Sequence, residues 1–291
     1  MRVVSLHPDV LLATSSIWQT NCLIVRGPGK DSERGGDDAR AGERVAGEGL
    51  ARESARLRGE TFVIDSPVLP DELDALPALA EQARFPEPTG LIATHGDWDH
   101  LLGRLAFPDL ALGCAETTAA RLAGSPGEAQ RELRTFDRRF YVERHRPLQL
   151  GQVQALPVPG RLDIGEQELQ LYPAEGHTPD GMAVWIGWAG VLVAGDYLST
   201  VEPPEIDGVS AGTGAFEMGS AATAATLGSA GSSPVEAGAA ETYIATLERL
   251  RPLVEAAAHI VPGHGPVLDA TRARGVLEEH LSHLRALTRA T

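Results

Sequence analysis

Three things are scarce in this chain, and each scarcity removes a class of protein. Cysteine is the first: Cys22 and Cys114 are the only two in 291 residues. They lie far apart, each in an apolar run, which excludes a disulfide framework or a multi-thiolate metal site and leaves two reduced, buried small hydrophobes. Long apolar runs are the second. No stretch approaches the roughly 18 residues that a bilayer span requires, and Met1-Arg2-Val3-Val4 does not lead into a signal-peptide core with a small-residue cleavage site. A cytoplasmic protein with no membrane partner is therefore expected. Positive charge is the third: 25 Lys and Arg stand against 40 Asp and Glu, a formal net charge of -15. Such a balance opposes any affinity built on neutralising phosphates, so no nucleic-acid partner is expected and a small-molecule substrate fits better. Composition carries no signal for oligomeric state.

What is present is enough apolar material, 43% of residues, for one large α/β domain over residues 1–291. Val3–Leu6, Val10–Ala13 and Asn21–Val25 read as an antiparallel meander. From Gly27 to Glu60 the chain is Gly, Ala, Arg, Glu and Asp with almost nothing to bury, which predicts a disordered or loosely helical insertion between strands. Thr61–Asp65 resumes the sheet. Leucines at 73, 76 and 79 predict a helix over Asp71–Ala83, with Asp71 as its cap. Gly90–Thr94 is apolar throughout and fits a central strand covered on both faces. Short helices are expected at Leu101–Leu105 and Glu116–Leu122, with a strand at Leu110–Cys114 between them. The arginine-rich segment 124–146, interleaved with Phe136, Phe140 and Tyr141, reads as a solvated helical pair with one apolar face, or a wall over a pocket. Gln167–Leu171, Met182–Ile186 and Val191–Ala194 read as strands, the last two joined by the hairpin turn Gly187–Gly190. Residues 207–240, dominated by Gly, Ala, Ser and Thr, predict a mobile loop. Glu241–Ala257 is an amphipathic helix interrupted by Pro252, Ile260-Val261 a strand, and Ala270–Leu287 a closing helix.

The densest chemistry lies in Thr94-His95-Gly96-Asp97-Trp98-Asp99-His100, two imidazoles and two carboxylates in six consecutive positions. These are the usual ligands of divalent metals of borderline hardness. Residues two apart on an extended segment point the same way, so His95 and Asp97 can close on one ion, and Asp99 and His100 on another. Helix capping accounts for one aspartate but for neither histidine. Three further places share the same local grammar, a short apolar strand running into a ligand-type residue bracketed by glycine or proline: His177 in Glu175–Asp180, Asp196 after Gly195, and His264 between Gly263 and Gly265. Glycine there permits a sharp turn and close backbone approach. His7, His145, His259, His280 and His283 lack that setting; His280 and His283 share a helical face where a surface ion has only a weak case. Trp98 and Tyr197 flank ligand-type residues and either line the pocket or pack beneath it.

In order, spacing and flanks, His95-Gly-Asp97-Trp-Asp99-His100, Gly-His177-Thr-Pro, Ala-Gly-Asp196 and Pro-Gly-His264-Gly resemble the signature of the metallo-β-lactamase fold superfamily, whose pattern is His-x-His-x-Asp-His followed by a distant His, a bridging Asp and a last His. The resemblance implies an αββα sandwich, two mixed β-sheets flanked by helices, with the site at one edge. It implies two divalent ions: His95, Asp97 and His177 hold the first, Asp99, His100 and His264 the second, and Asp196 bridges. Asp97 stands where the family pattern has histidine, and in this the chain is closer to flavodiiron proteins; the added carboxylate favours iron or manganese, although zinc, the expected ion, accepts aspartate too. The activity implied is glyoxalase II-like or lactonase-like, a metal-held hydroxide cleaving a small carboxylic ester, thioester or lactone, with Asp99 orienting the nucleophile and Asp99 and Asp196 as its catalytic residues. A di-iron redox protein of the same fold, or a phosphodiesterase, is the alternative.

Overall fold

The computed structural model describes residues 1–27, 59–204 and 234–289. The insertion and most of the low-complexity loop expected from the sequence lie outside those residues.

The chain opens with β1 (Arg2–His7), β2 (Val10–Thr14) and β3 (Asn21–Gly27), followed by β4 (Glu60–Ile64). These pair antiparallel, and Gly27 stands opposite Glu60, so both ends of the expected insertion belong to strands. Helix α1 (Pro70–Gln82) leads to β5 (Gly90–Ile92), a 3-10 turn (Trp98–His100), α2 (Gly103–Ala106), β6 (Leu112–Ala115), α3 (Glu116–Gly124), α4 (Glu128–Phe140) and β7 (Val153–Leu156). Strands β4 to β7 run parallel, completing a mixed sheet of order β1-β2-β3-β4-β5-β6-β7. The second half supplies β8 (Gly160–Ile164), β9 (Gln167–Pro173), β10 (Met182–Ile186), β11 (Val191–Val193), α5 (Pro234–Ala256), β12 (His259–Val261) and α6 (Ala270–Arg289). Its sheet has the order β12-β11-β10-β9-β8, antiparallel except where β12 joins β11.

Three apolar layers follow from the sequence. Val10, Leu23, Val25 and Ile64 of the first sheet meet Leu169, Leu171, Val184 and Val191 of the second. On the outer face of the first sheet, Ile24, Val63 and Leu91 pack with Leu73, Leu76, Leu133 and Phe136. On the outer face of the second, Leu192 and Ile260 pack with Tyr243, Leu247, Leu250, Val276, Leu277, Leu281 and Leu284. Each fully buried leucine among these contributes about 2 kcal/mol of transfer free energy. The result is the αββα sandwich that the motif resemblance implies.

Several local expectations are corrected. Helix α1 begins at Pro70, whose fixed φ suits a first helical position; Asp71 is inside the helix, and Glu72 reaches back to accept the Leu69 N–H at 3.3 Å. Segment 124–146 contains one helix, not a pair: only 128–140 has apolar residues at helical spacing, with Ala129, Leu133 and Phe136 buried. Helix α5 starts at Pro234, so 234–240 belongs to a helix and not to a loop, and Pro252 sits within it without ending it. His280 is 7% exposed and faces the core, which removes it from any surface ion site. Strands β7 and β8, half-exposed edges set around prolines, add to the strands expected from the sequence.

Candidate metal centre

The ligand-type residues stand where the two sheets meet at one edge. Residues 94–100 leave the end of β5 in the first sheet, His177 lies between β9 and β10, Asp196 follows β11, and His264 follows β12. Backbone hydrogen bonds stitch the edge together: Met182 N–H donates to the Thr94 carbonyl (2.7 Å), Asn21 N–H to Gly263 (2.7 Å), and Gly263 N–H to Gly195 (2.6 Å). The Asn21 amide adds bonds to the carbonyls of Pro262 (2.8 Å) and Gly265 (2.9 Å). Glycine is required at 263 because a Cβ there would collide with Asp196 Oδ1.

All seven predicted residues converge. His95 Nε2 lies 3.4 Å from Asp97 Oδ2 and 3.5 Å from Asp196 Oδ2, and His177 Nε2 lies 3.6 Å and 3.3 Å from the same two atoms. On the other side, His100 Nε2 is 3.2 Å from Asp196 Oδ1 and 3.8 Å from Asp99 Oδ2, while His264 Nε2 is 3.3 Å from Asp99 Oδ2 and 3.5 Å from Asp196 Oδ2. Two groups result, His95-Asp97-His177-Asp196 and Asp99-His100-His264, each with its ligand atoms within 4.8 Å of one another. Asp196 touches both. Glu202, which no local pattern singles out, lies 3.9 Å from His264 Nδ1 and forms a further acidic group with His264 and Asp196.

The donor set fits divalent cations. His95 Nε2, His100 Nε2 and Asp196 Oδ1 are buried, face one shared space, and make no hydrogen bond within it. Interior polar atoms are otherwise almost always bonded, and mixed imidazole and carboxylate donors suit zinc, iron or manganese. The electrostatics agree. Burial alone would hold His100 neutral, yet Asp196, Asp99 and Asp65 outweigh it and push its pKa well above the usual imidazole value. The same contest, burial against Asp196 and a second aspartate, raises His177 and His264. Burial would raise Asp196, but His264, His100 and His95 hold it well below the usual carboxylate range. Asp97 is likewise held low, against its burial, first by His95. The space therefore attracts positive charge.

Around these residues stands an outer ring that sequence reasoning missed. Asp65, buried at φ 56°, accepts the Thr94 N–H at Oδ1 (2.8 Å) and the Thr94 hydroxyl at Oδ2 (2.9 Å), and its Oδ2 lies 3.2 Å from His100 Nδ1. His264 Nδ1 meets Thr20 Oγ1 at 3.3 Å and the Trp18 carbonyl at 3.2 Å. Such partners fix the orientation of ligating imidazoles. Arg121 on α3 reaches Asp97 Oδ1 and Asp180 Oδ1, both at 2.8 Å, and Asp180 Oδ2 accepts the Gly96 N–H at 2.9 Å. Asp65 had a legible signal, since an apolar strand running into Asp-Ser-Pro follows the grammar of the candidate ligands; Arg121 had none.

Trp98 is half-buried between Asp97 and Asp99 in an aromatic cluster, 5.6 Å from the Trp18 ring and 5.0 Å from Phe136. The arginine-rich helix α4 thus supplies a wall beside the ligand segment. Tyr197 packs beneath: it is 3% exposed, stacks on Tyr243, and its hydroxyl accepts the His177 N–H at 3.0 Å. Cys22 and Cys114 are free and buried, as expected; burial pushes both thiols up, that of Cys114 to about 12. No described helix is long and apolar enough to cross a membrane.

Comparison with known proteins agrees with the geometry. The family model described as metallo-beta-lactamase superfamily matches residues 56–264. No curated protein matches the chain. Among solved structures, a metallo-beta-lactamase family protein from Thermus thermophilus aligns with a TM-score of 0.59 at 17% identity, over 97% of this chain and 81% of that one. A metallo-beta-lactamase from Pontibacter korlensis aligns with a TM-score of 0.55 at 16% identity, over 98% of both chains. An archaeal metallo-beta-lactamase superfamily protein from Sulfolobus tokodaii aligns with a TM-score of 0.53 at 15% identity, over 93% and 83%.

Proposed function

Because the chain belongs to the metallo-beta-lactamase superfamily, we propose that it is a metal-dependent hydrolase cleaving a small carboxylic ester, thioester or lactone at a pair of divalent ions, zinc in preference to iron or manganese. The observation that carries this reading is the convergence of four imidazoles and three aspartates on one space, with His95 Nε2, His100 Nε2 and Asp196 Oδ1 buried there and making no hydrogen bond. His95, Asp97 and His177 would hold one ion, Asp99, His100 and His264 the other, and Asp196 both. When bound, such a pair supplies a water acidic enough to attack at neutral pH and polarises the substrate carbonyl.

The chain's own residues do the rest. Asp99, held ionised beside His100 and His264, would orient the nucleophile, and Asp196, which lies against both groups of donors, would fix where it stands; Asp65, Thr20 and the Trp18 carbonyl stand behind His100 and His264 and hold their orientation. A protein nucleophile has no place in this scheme, since both cysteine thiols lie buried in the core and are pushed up. The net charge of -15 favours a small substrate over a polyanion.

The test is metal analysis of protein purified without chelator, followed by a panel of esters, thioesters and lactones. Two equivalents of zinc and hydrolysis that Asp196→Ala abolishes are expected. Bound iron with an oxygen-sensitive visible spectrum would replace the reading with redox chemistry, and loaded wild type no faster than Asp196→Ala across the panel would end it.

A further inference from the structure

Asp97 is the one place where the ligand set departs from the family pattern, and among the described residues it is also the one member of that set paired with an arginine. Its two oxygens face opposite ways. Oδ2 points inward, 3.4 Å from His95 Nε2 and 3.6 Å from His177 Nε2, whereas Oδ1 points outward to Arg121 Nη2 at 2.8 Å. The other guanidinium arm is committed as well, to Asp180 Oδ1 at 2.8 Å, and Asp180 is 1% exposed and holds the Gly96 N–H through its second oxygen. The fork is packed into place: a Cβ at Gly96 would stand 3.3 Å from Arg121 Cδ and 3.2 Å from Asp180 Oδ2. Residue 96 sits between the ligands His95 and Asp97, so one rigid planar cation fixes both the backbone of the ligand segment and the orientation of its variant carboxylate.

We propose that Arg121 is a positioning residue that makes Asp97 a one-oxygen ligand and turns this half of the centre toward zinc. The inference rests on the metal-binding reading above. A free carboxylate offers two hard oxygens and a full negative charge, which suits manganese or iron. With Oδ1 paired to the guanidinium, Asp97 turns one oxygen, Oδ2, toward His95 and His177, and part of its charge is drawn outward. What remains toward the ion is a single, weakened oxygen donor beside two imidazoles, close to the three-imidazole set it replaces. Outer-shell partners of this kind typically change metal affinity about 10- to 100-fold.

The test is a double-mutant cycle on the full chain, read as zinc and manganese affinity by competition with a chromophoric chelator. In the wild type, Arg121→Gln should weaken one of two zinc equivalents by about 10- to 100-fold, the lost orientation of Asp97 outweighing the charge returned to it, and raise the manganese-to-zinc preference. In an Asp97→His background the same substitution should change zinc affinity by less than about 3-fold, because an imidazole has no outward oxygen for the arginine to hold. Equal losses in both backgrounds would mean that Arg121 only braces Asp180 and Gly96, and would overturn the proposal, as would no loss beside Asp97. Should Arg121→Gln not fold, Arg121→Lys, a point charge without the fork, runs the same cycle with a smaller but still background-dependent loss expected. A wild type that retains no zinc, manganese or iron defeats the metal reading itself; two tight zinc equivalents with an additive cycle defeat only the role of Arg121.

Discussion

The two halves of the centre are built from the same residue types but held in different ways. The half made by Asp99, His100 and His264 is deep: the side chains of His100 and His264 are 0% and 5% exposed, and each ring is braced from behind, His100 by Asp65 and His264 by Thr20 and the Trp18 carbonyl. The half made by His95, Asp97 and His177 is shallower, although His95 itself is as deep as His264, at 5%. Asp97 is 29% and His177 16% exposed, and the bracing comes from a surface-facing arginine on α3. The difference teaches where tolerance lies. A deep ligand surrounded by Asp65, Asp99 and Asp196 cannot change type without stranding charge in the interior. A shallow one can exchange imidazole for carboxylate so long as a cation at the rim answers it.

The largest effect that would break this contrast comes from removing one ligand on each side. His100→Ala leaves three carboxylates facing a buried space and should cost one metal equivalent together with about 3–5 kcal/mol of stability. His177→Ala should cost a metal equivalent with less than about 1 kcal/mol, because Asp97 is partly solvated and keeps Arg121, and Asp196 keeps its other histidines. Metal analysis and urea unfolding of both chelator-treated variants check this; equal stability losses would erase the distinction between deep and shallow.

A smaller effect sharpens it. Asp65→Asn keeps the shape that accepts the Thr94 N–H but removes the charge beside His100 Nδ1. Affinity for one zinc equivalent should fall about 10-fold or more while the other is unchanged, which sequential chelator competition resolves.

The smallest is felt through the loop behind His264. Glu72 accepts hydrogen bonds from the Ser15 hydroxyl (2.6 Å) and the Ser16 N–H (2.8 Å), anchoring the turn that presents Trp18 and Thr20. Burial tends to raise its pKa, but the bonds from Ser15 and Ser16 more than offset this and leave it below the ordinary carboxylate value. A lowered folded pKa means stability present above the unfolded value, about 4.3, and lost as pH falls through the folded one. Glu72→Gln should therefore cost about 1–2 kcal/mol at pH 7, and thermal unfolding from pH 6 to pH 3 should show a shallower acid loss than in the wild type.

How much of this could be read from the residues depended on how local the cause was. The seven convergent side chains lie in four segments, each a short apolar strand running into ligand-type residues beside glycine or proline, a signal contained within a few residues. The sandwich was legible for the same reason, since both helix and strand periodicities are local. Asp65 carries that signal too, but nothing nearby in sequence reveals that Thr94 and His100 are its partners. Arg121 and Asp180 carried none: the arginine lies in an ordinary surface helix, and only the fold brings it to one carboxylate well before it in the chain, Asp97, and another far beyond it, Asp180. Strand β7 buries only Leu156 and shows no alternation, whereas β8 does alternate, Leu162 and Ile164 against Arg161 and Asp163, over a run too short to stand out beside Pro157 and Pro159.

The stitched edge has one more consequence. One sheet contributes residues 94–100 and the other His177, Asp196 and His264, so any ion held by these side chains is also a rivet between the two layers of the sandwich. Filling the centre would close a clasp across the interface, and ion occupancy and the integrity of that interface would become a single thermodynamic quantity. The chemistry of the site is then inseparable from the act of keeping its two walls in register.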